Sequence, residues 1–246
     1  MSQNNQTSRA IVTGAGSGVG RATAIKLSEL GWEVALVGRN QSTLEETVQL
    51  SGANGSRLHI HVCDVGDSAS VHQTVKTVLE RWGYVDALVN SAGFNVPDRS
   101  FKELSHEDFD RIVSVNLNGT HYFVSEVLPC MRERANGTIV NIVSDAGITA
   151  YPKSGPSYVA SKFGQRGLTM AINAEERQNG IRACSVCPGD IATKFLDQRP
   201  EPPAQDARTR MLRPEDVADC AVFAITLPAN ASVDEIIVRP SGKPIA

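Results

Sequence analysis

No run in this 246-residue chain approaches the ~18 apolar residues that a membrane-spanning helix needs. The opening MSQNNQTSR holds no apolar core, so no secretory leader is expected there. An excess of one charge is also missing. The 24 basic and 27 acidic side chains leave a net charge of −3, which removes the electrostatic case for nucleic acid or an anionic membrane surface as partner. Cysteine is sparse and odd in number, at Cys63, Cys130, Cys184, Cys187 and Cys220. That pattern fits reduced thiols and a cytoplasmic setting better than a disulfide framework. Cys184 and Cys187 form a CxxC, but IRACSVCPG reads as a buried strand, on which residues three apart face opposite ways. No second pair stands nearby to complete a zinc site, so both are read as core residues and no metal is expected. Internal repeats, low-complexity tracts and breaks in composition are absent too. One domain over residues 9–246, behind a short polar tail at 1–8, is the expectation.

What the chain does contain is alternation. Short β-rich runs, AIVTG, EVALVG, RLHIHV, DALVNSAG, TIVNIVS, IRACSVCPG and EIIVRPS, are separated mostly by helix-length segments with apolar periodicity. Such alternation builds right-handed βαβ crossovers. The fold class is therefore α/β, a doubly wound parallel sheet of about seven strands with helices on both faces. One insertion breaks the rhythm: KFLDQRPEPPAQDARTR, residues 194–210, is proline-rich and charged. A loop of that length is read as a mobile cover over a substrate site, although its mixed charge points to no particular substrate.

Directly after the first strand comes TGAGSGVGRATA, with Gly14, Gly18 and Gly20 in a GxxxGxG spacing. Glycines there allow a tight turn and let backbone N–H groups approach a pyrophosphate at a helix N-terminus, as in Rossmann-type dinucleotide sites. At the end of the second strand, where NAD-binding folds often carry an acid for the ribose 2′-hydroxyl, this chain has Gly38 followed by Arg39. The missing carboxylate removes repulsion of a 2′-phosphate and the arginine can pair with it, which favours NADP over NAD.

SYVASKFG sets Tyr158 and Lys162 four residues apart in a helical region, so both lie on one helix face. A lysine charge beside a phenol favours the phenolate, so the spacing predicts a tyrosine whose pKa is lowered toward working pH. The histidines carry no comparable pattern. His59 and His61 share a strand face without a third ligand, and they are read as structural along with His72, His106 and His121.

From about Arg9 to about Arg239 these features resemble, in order, the short-chain dehydrogenase/reductase family in its single-domain form. TGAGSGVG matches that family's TGxxxGxG and adds Ser17 and Val19 to the expected cofactor contacts. The resemblance further implies adenine contact at Asp64 and Val65 (CDV) and cofactor contact at Asn90, Ala92 and Gly93. The latter three lie in NSAG, where Ser91 departs from the family's second asparagine. PGDIAT implies nicotinamide contacts at Pro188, Gly189, Ile191 and Thr193. Asn116, Ser144, Tyr158 and Lys162 stand at the positions of the catalytic tetrad. By resemblance, Tyr158 is the acid/base and Ser144 holds the substrate oxygen. Lys162 binds the nicotinamide ribose, and Asn116 positions a water that links the lysine to solvent. The activity implied is hydride transfer between NADP(H) and a carbonyl or alcohol, in a homotetramer or homodimer. An NAD-dependent dehydrogenase and a non-catalytic NADP-binding redox sensor are the alternatives. The chain is too short for the added substrate domain of the longer epimerases and dehydratases. The Ser144–Tyr158 interval is one residue longer than usual, and a VDGG-type ending is missing. The segment TLPANASVDEIIVRPS is similar to members acting on small hydroxy acids or as broad reductases.

Overall fold

A computed structural model describes residues 7–243. Its centre is a seven-stranded sheet of order β3-β2-β1-β4-β5-β6-β7, parallel throughout. The strands are β1 (Arg9–Thr13), β2 (Glu33–Gly38), β3 (Leu58–Val62), β4 (Ala87–Asn90), β5 (Gly137–Ile142), β6 (Ile181–Pro188) and β7 (Glu235–Val238). All seven lie where the β-rich runs place them.

Both faces of this sheet are covered, which is why its central strands read as continuous apolar runs. Successive residues serve opposite cores. Ala10 and Val12 of β1 pack into one, together with Leu27 of α1 (Gly18–Glu29) and Val217 and Ala221 of α8 (Pro214–Thr226). Ile11 between them joins the other, with Val71 and Val75 of α3 (Ser68–Trp82), Phe123 and Val127 of α5 (Gly119–Arg134) and Ile172 of α6 (Pro156–Glu176). The helices start where the sequence can cap them. Asn40 accepts from the Ser42 amide ahead of α2 (Gln41–Leu50), Asp67 from Ala69 ahead of α3, and Ser105 from Asp108 ahead of α4 (His106–Val113).

Two segments differ from the simplest reading. The run from His106 to Arg134 is helical throughout, but a π-helical turn at Ser114–Asn118 separates α4 from α5. Such turns add a residue to the spiral and re-aim a side chain, here Asn116. The insertion after β6 is partly ordered by a 3₁₀ turn at Lys194–Gln198 and the short helix α7 (Gln205–Arg208). Of the polar tail, residues 1–6 lie outside the described residues. Thr7 and Ser8 are held, their carbonyls accepting from Tyr84 Oη at 2.8 Å and the Glu33 amide at 3.0 Å.

Strand order reverses at β1, which pairs with β2 on one side and β4 on the other. Loops leaving a sheet at such a switch point diverge and open a crevice. Gly14 follows β1 there, and a Cβ on it would stand 2.9 Å from Ala92 N and Cα in the loop after β4. A Cβ on Gly20, in the first turn of α1, would stand 2.4 Å from the Gly14 carbonyl oxygen. Alanine in place of a helical glycine ordinarily stabilises by about 1 kcal/mol. Gly20→Ala should do the reverse and destabilise by about 1–3 kcal/mol, because the contact is with backbone that has no rotamer to change. Urea unfolding reads the sign; a stabilised variant would mean that the turn is loosely packed.

Candidate active site

The crevice is a cleft of about 640 Å³ that runs from the glycine turn to the start of α6. Gly14, Ser17, Gly18 and Val19 line one end, and Ser144, Tyr158 and Lys162 line the other. Ala92, Gly93, Pro188, Gly189, Ile191 and Thr193 form the wall between them. Gly18 has φ +51, and a Cβ there would lie 3.6 Å from the Thr193 methyl across the cleft.

α6 begins at Pro156, whose fixed φ suits a first helical position, and it carries Tyr158 and Lys162 in its first two turns. The lysine Nζ stands 5.6 Å from the centre of the Tyr158 ring. Its donors go elsewhere, to the Ile142 carbonyl at 2.9 Å and to Gln165 Oε1 at 2.6 Å. One of its three N–H groups is left for the cleft. Gln165 is wholly buried and donates in turn to Thr120 Oγ1 at 2.7 Å, which donates to the Asn116 carbonyl at 3.1 Å. Sequence reasoning misses Gln165; the available signal is a glutamine three residues after the lysine on a buried helix face.

The electrostatics correct one expectation. Burial pushes the Tyr158 phenol up to about 12, against a smaller lowering from the Ser144 hydroxyl. Burial also brings the Lys162 ammonium down to about 7. Loss of water dominates at both groups, and the charges that act on the phenol are Asp145, which raises it, and Arg199 and Arg99, which lower it, while the lysine turns its protons to a carbonyl and an amide oxygen. On its own the protein therefore holds Tyr158 as a proton donor.

Ser144, just past β5, donates to Asp145 Oδ1 at 3.1 Å and accepts from the Ala146 amide at 3.1 Å. Asn116 is buried in the π-helical turn and clamps residue 94 from both sides. It accepts from the Phe94 amide at 2.9 Å and donates to the Phe94 carbonyl at 3.0 Å, with a further bond to Ser161 Oγ at 3.2 Å. The remaining expected residues lie outside the cleft lining. Asn90 is buried and donates to Asn141 Oδ1 at 2.9 Å across β4 and β5. Val65 is buried, and Asp64 is exposed and accepts from the Gly66 amide at 2.9 Å. Arg39 is exposed just past β2, with no ion pair among the described residues.

Several lining residues were given no role by the sequence. Arg21 ties the glycine turn to α2 through the Gly16 carbonyl at 2.5 Å and Glu46 at 2.6 Å. Phe195 of the insertion lies 5.9 Å from the Tyr158 ring, so this loop closes over the tyrosine. Arg99, Lys153, Asp190 and Arg199 surround the same end. The cysteines are free; burial raises Cys184 to about 12 and Cys187 to about 11, which leaves them unreactive. His59 pairs with Glu33 at 2.5 Å and meets Trp82 edge to face, away from the lining of the cleft.

A family profile described as short chain dehydrogenase matches residues 8–204. The chain belongs to the short-chain dehydrogenase/reductase family. A curated uncharacterised oxidoreductase of Staphylococcus saprophyticus is 33% identical over 232 residues, which cover 94% of this dehydrogenase/reductase and 96% of that protein. An alcohol dehydrogenase from the archaeon Thermococcus sibiricus, solved with 5-hydroxy-NADP, has a TM-score of 0.85 at 28% identity, covering 98% of this chain and 99% of its own. Serine dehydrogenase in its closed form with NADP+ has a TM-score of 0.86 at 28% identity, covering 97% of each chain. The residues of this short-chain dehydrogenase/reductase fit a nicotinamide dinucleotide. Side chains are excluded at Gly14 and Gly20, the α1 N-terminus opens on the cleft, and one cleft joins that turn to Tyr158 and Lys162.

Proposed function

We propose that this oxidoreductase transfers a hydride between NADP(H) and a carbonyl or alcohol, with Tyr158 as the acid/base. The observation that carries this reading is the convergence of Ser144, Tyr158 and Lys162 at one end of a cleft whose other end is the glycine turn. A bound nicotinamide would supply or accept the hydride. Tyr158, protonated up to about pH 12 in the protein alone, delivers the proton to the oxygen of the carbonyl being reduced, and takes it back in oxidation. Ser144 orients that oxygen once its hydroxyl turns from Asp145. Lys162 presents its remaining N–H to the cleft, with its position set by Ile142 and Gln165. Asn116 holds the loop at Phe94 and thereby fixes the wall at Gly93, where a Cβ would come 3.3 Å from Asn116 Oδ1. Phe195 and Leu196 exclude water over the phenol.

Preference for NADP rests on Arg39, whose exposed guanidinium follows a β2 end that carries no acid. Nicotinamide-fluorescence titration with NADPH and NADH in parallel is the test. NADPH should bind more tightly, and Arg39→Asp should weaken NADPH by about 50-fold, from a lost charge-assisted bond plus a new repulsion. Tighter NADH in the unaltered protein would overturn the preference and leave the enzyme. Binding of neither would remove the cofactor reading.

A further inference from the structure

Arg99 belongs to no motif, yet it is 4% exposed and lines the chemical end of the cleft. Its partners are all neutral. Nε donates to the Val96 carbonyl at 2.5 Å, Nη1 to the Lys153 carbonyl at 3.5 Å, and Nη2 to the Gln198 carbonyl. A guanidinium has five N–H donors, so two are left, and no carboxylate pairs with it among the described residues.

The surrounding charge does not supply the missing anion. Asp190 is shared by two other cations, Arg199 at 2.5 Å and Lys153 at 3.0 Å. Asp145 accepts from Ser144. Of Arg99, Lys153 and Arg199, the cations gathered here beside Lys162, only Arg99 lacks a carboxylate partner, and it is the buried one of the three. Burial and the neighbouring Arg199 charge both lower the Arg99 pKa, the response of a cation short of a counter-ion. A buried charge is costly unless it is paired, and this one lines the space a substrate enters beside Tyr158.

We propose that Arg99 receives a carboxylate carried by the substrate, so that the compounds reduced or oxidised here are oxo acids and hydroxy acids rather than neutral ketones and alcohols. This rests on the reading of the cleft as a carbonyl-reducing site. Asn95, buried in the same wall, donates to the Ser154 carbonyl at 2.8 Å and stiffens the segment that presents Arg99. Gly155 packs against the Arg99 backbone so closely that its Cβ would lie 2.3 Å from the Arg99 oxygen. The cation is therefore pre-positioned, and binding need not order it.

The test compares acetoacetate with methyl acetoacetate, and pyruvate with methyl pyruvate, as substrates for NADPH oxidation, together with thermal shifts by the same four compounds. For the unaltered protein, kcat/KM should favour at least one acid over its ester by about 100-fold, since the ester leaves the guanidinium unpaired. Arg99→Gln should collapse that ratio to within a few-fold. If Arg99 only rivets the loop at Gln198, the variant lowers acid and ester alike, and that result overturns the proposal. Should Arg99→Gln fail to fold, the acid-to-ester ratio of the unaltered protein decides alone; a ratio near or below one overturns it. Turnover of esters but not acids refutes the carboxylate and leaves the reductase standing. Turnover of none, with stabilisation by an acid and not its ester, refutes the proposed reaction and supports the anion site. Neither turnover nor stabilisation refutes both.

Discussion

Replacing Tyr158 by phenylalanine is expected to lower kcat by about 10³-fold while changing NADPH affinity by no more than a few-fold. The substitution keeps the ring that packs 5.9 Å from Phe195 and removes one oxygen. The loop over the site therefore has no reason to move, and the loss should appear in kcat rather than KM. The pH profile gives a second arm. In the free protein Tyr158 remains protonated up to about 12, so it does not limit reduction near neutrality. Lys162, brought down to about 7 by burial, does titrate there. Its ammonium is the form that donates to the cleft, so kcat/KM for NADPH should fall as pH rises through about 7. Stopped-assay kinetics of both proteins across pH 6–10 would check this. A Tyr158→Phe variant with more than a tenth of normal turnover would remove the tyrosine from the proton transfer.

The electrostatics show why part of this site was readable from sequence and part was not. The β–α alternation, the glycine turn and the Tyr158–Lys162 spacing are local patterns, and local patterns fix strands, a tight turn and two side chains on one helix face. Spacing says which groups are neighbours but nothing about how much water they keep. The direction of the Tyr158 shift depends on burial in the assembled fold, where Phe195 comes to its ring from far along the chain. Arg99 was silent for a related reason. Its isolation is a property of carbonyls at residues 96, 153 and 198, which only the fold assembles. Gln165 lay within three residues of a recognised lysine, yet its polar burial shows only once Thr120 arrives from α5. The π-helical turn at Asn116 goes with a clamp on Phe94 that is likewise made only in the assembled fold.

Lys162→Met should abolish most turnover, by about 10³-fold in kcat, and should also erase a pH dependence of stability. The lysine falls from its ordinary 10.5 to about 7 on folding. Between those two values the unfolded chain holds a proton that the native protein has released, so native stability rises with pH across the window. Below about 7 both states are charged, and the native state bears the full cost of a buried ammonium. At about 1.4 kcal/mol per tenfold change in acidity, the rise from 7 to 10.5 is on the order of 4 kcal/mol. The clean interval is pH 7–8. Above it the thiols of Cys130, Cys184, Cys187 and Cys220, all raised from 9, and then Tyr158, raised from 10, act in the opposite sense: the unfolded chain ionises first and stability falls. Urea midpoints at pH 7, 7.5 and 8 should climb for the unaltered protein and stay level for Lys162→Met. The single variant leaves Gln165 Oε1 without its donor, a loss of about 1–3 kcal/mol that partly offsets the gain at pH 7. Adding Gln165→Leu removes that orphaned acceptor together with the bond it donates to Thr120, so the double variant reads the slope with no unpaired amide oxygen beside residue 162. A slope that survives in both variants would mean that some other group titrates, and that Lys162 is not held against its charge. Loss of the slope together with turnover would show that one buried amine both lowers the stability of the empty protein near neutral pH and equips the cleft for chemistry.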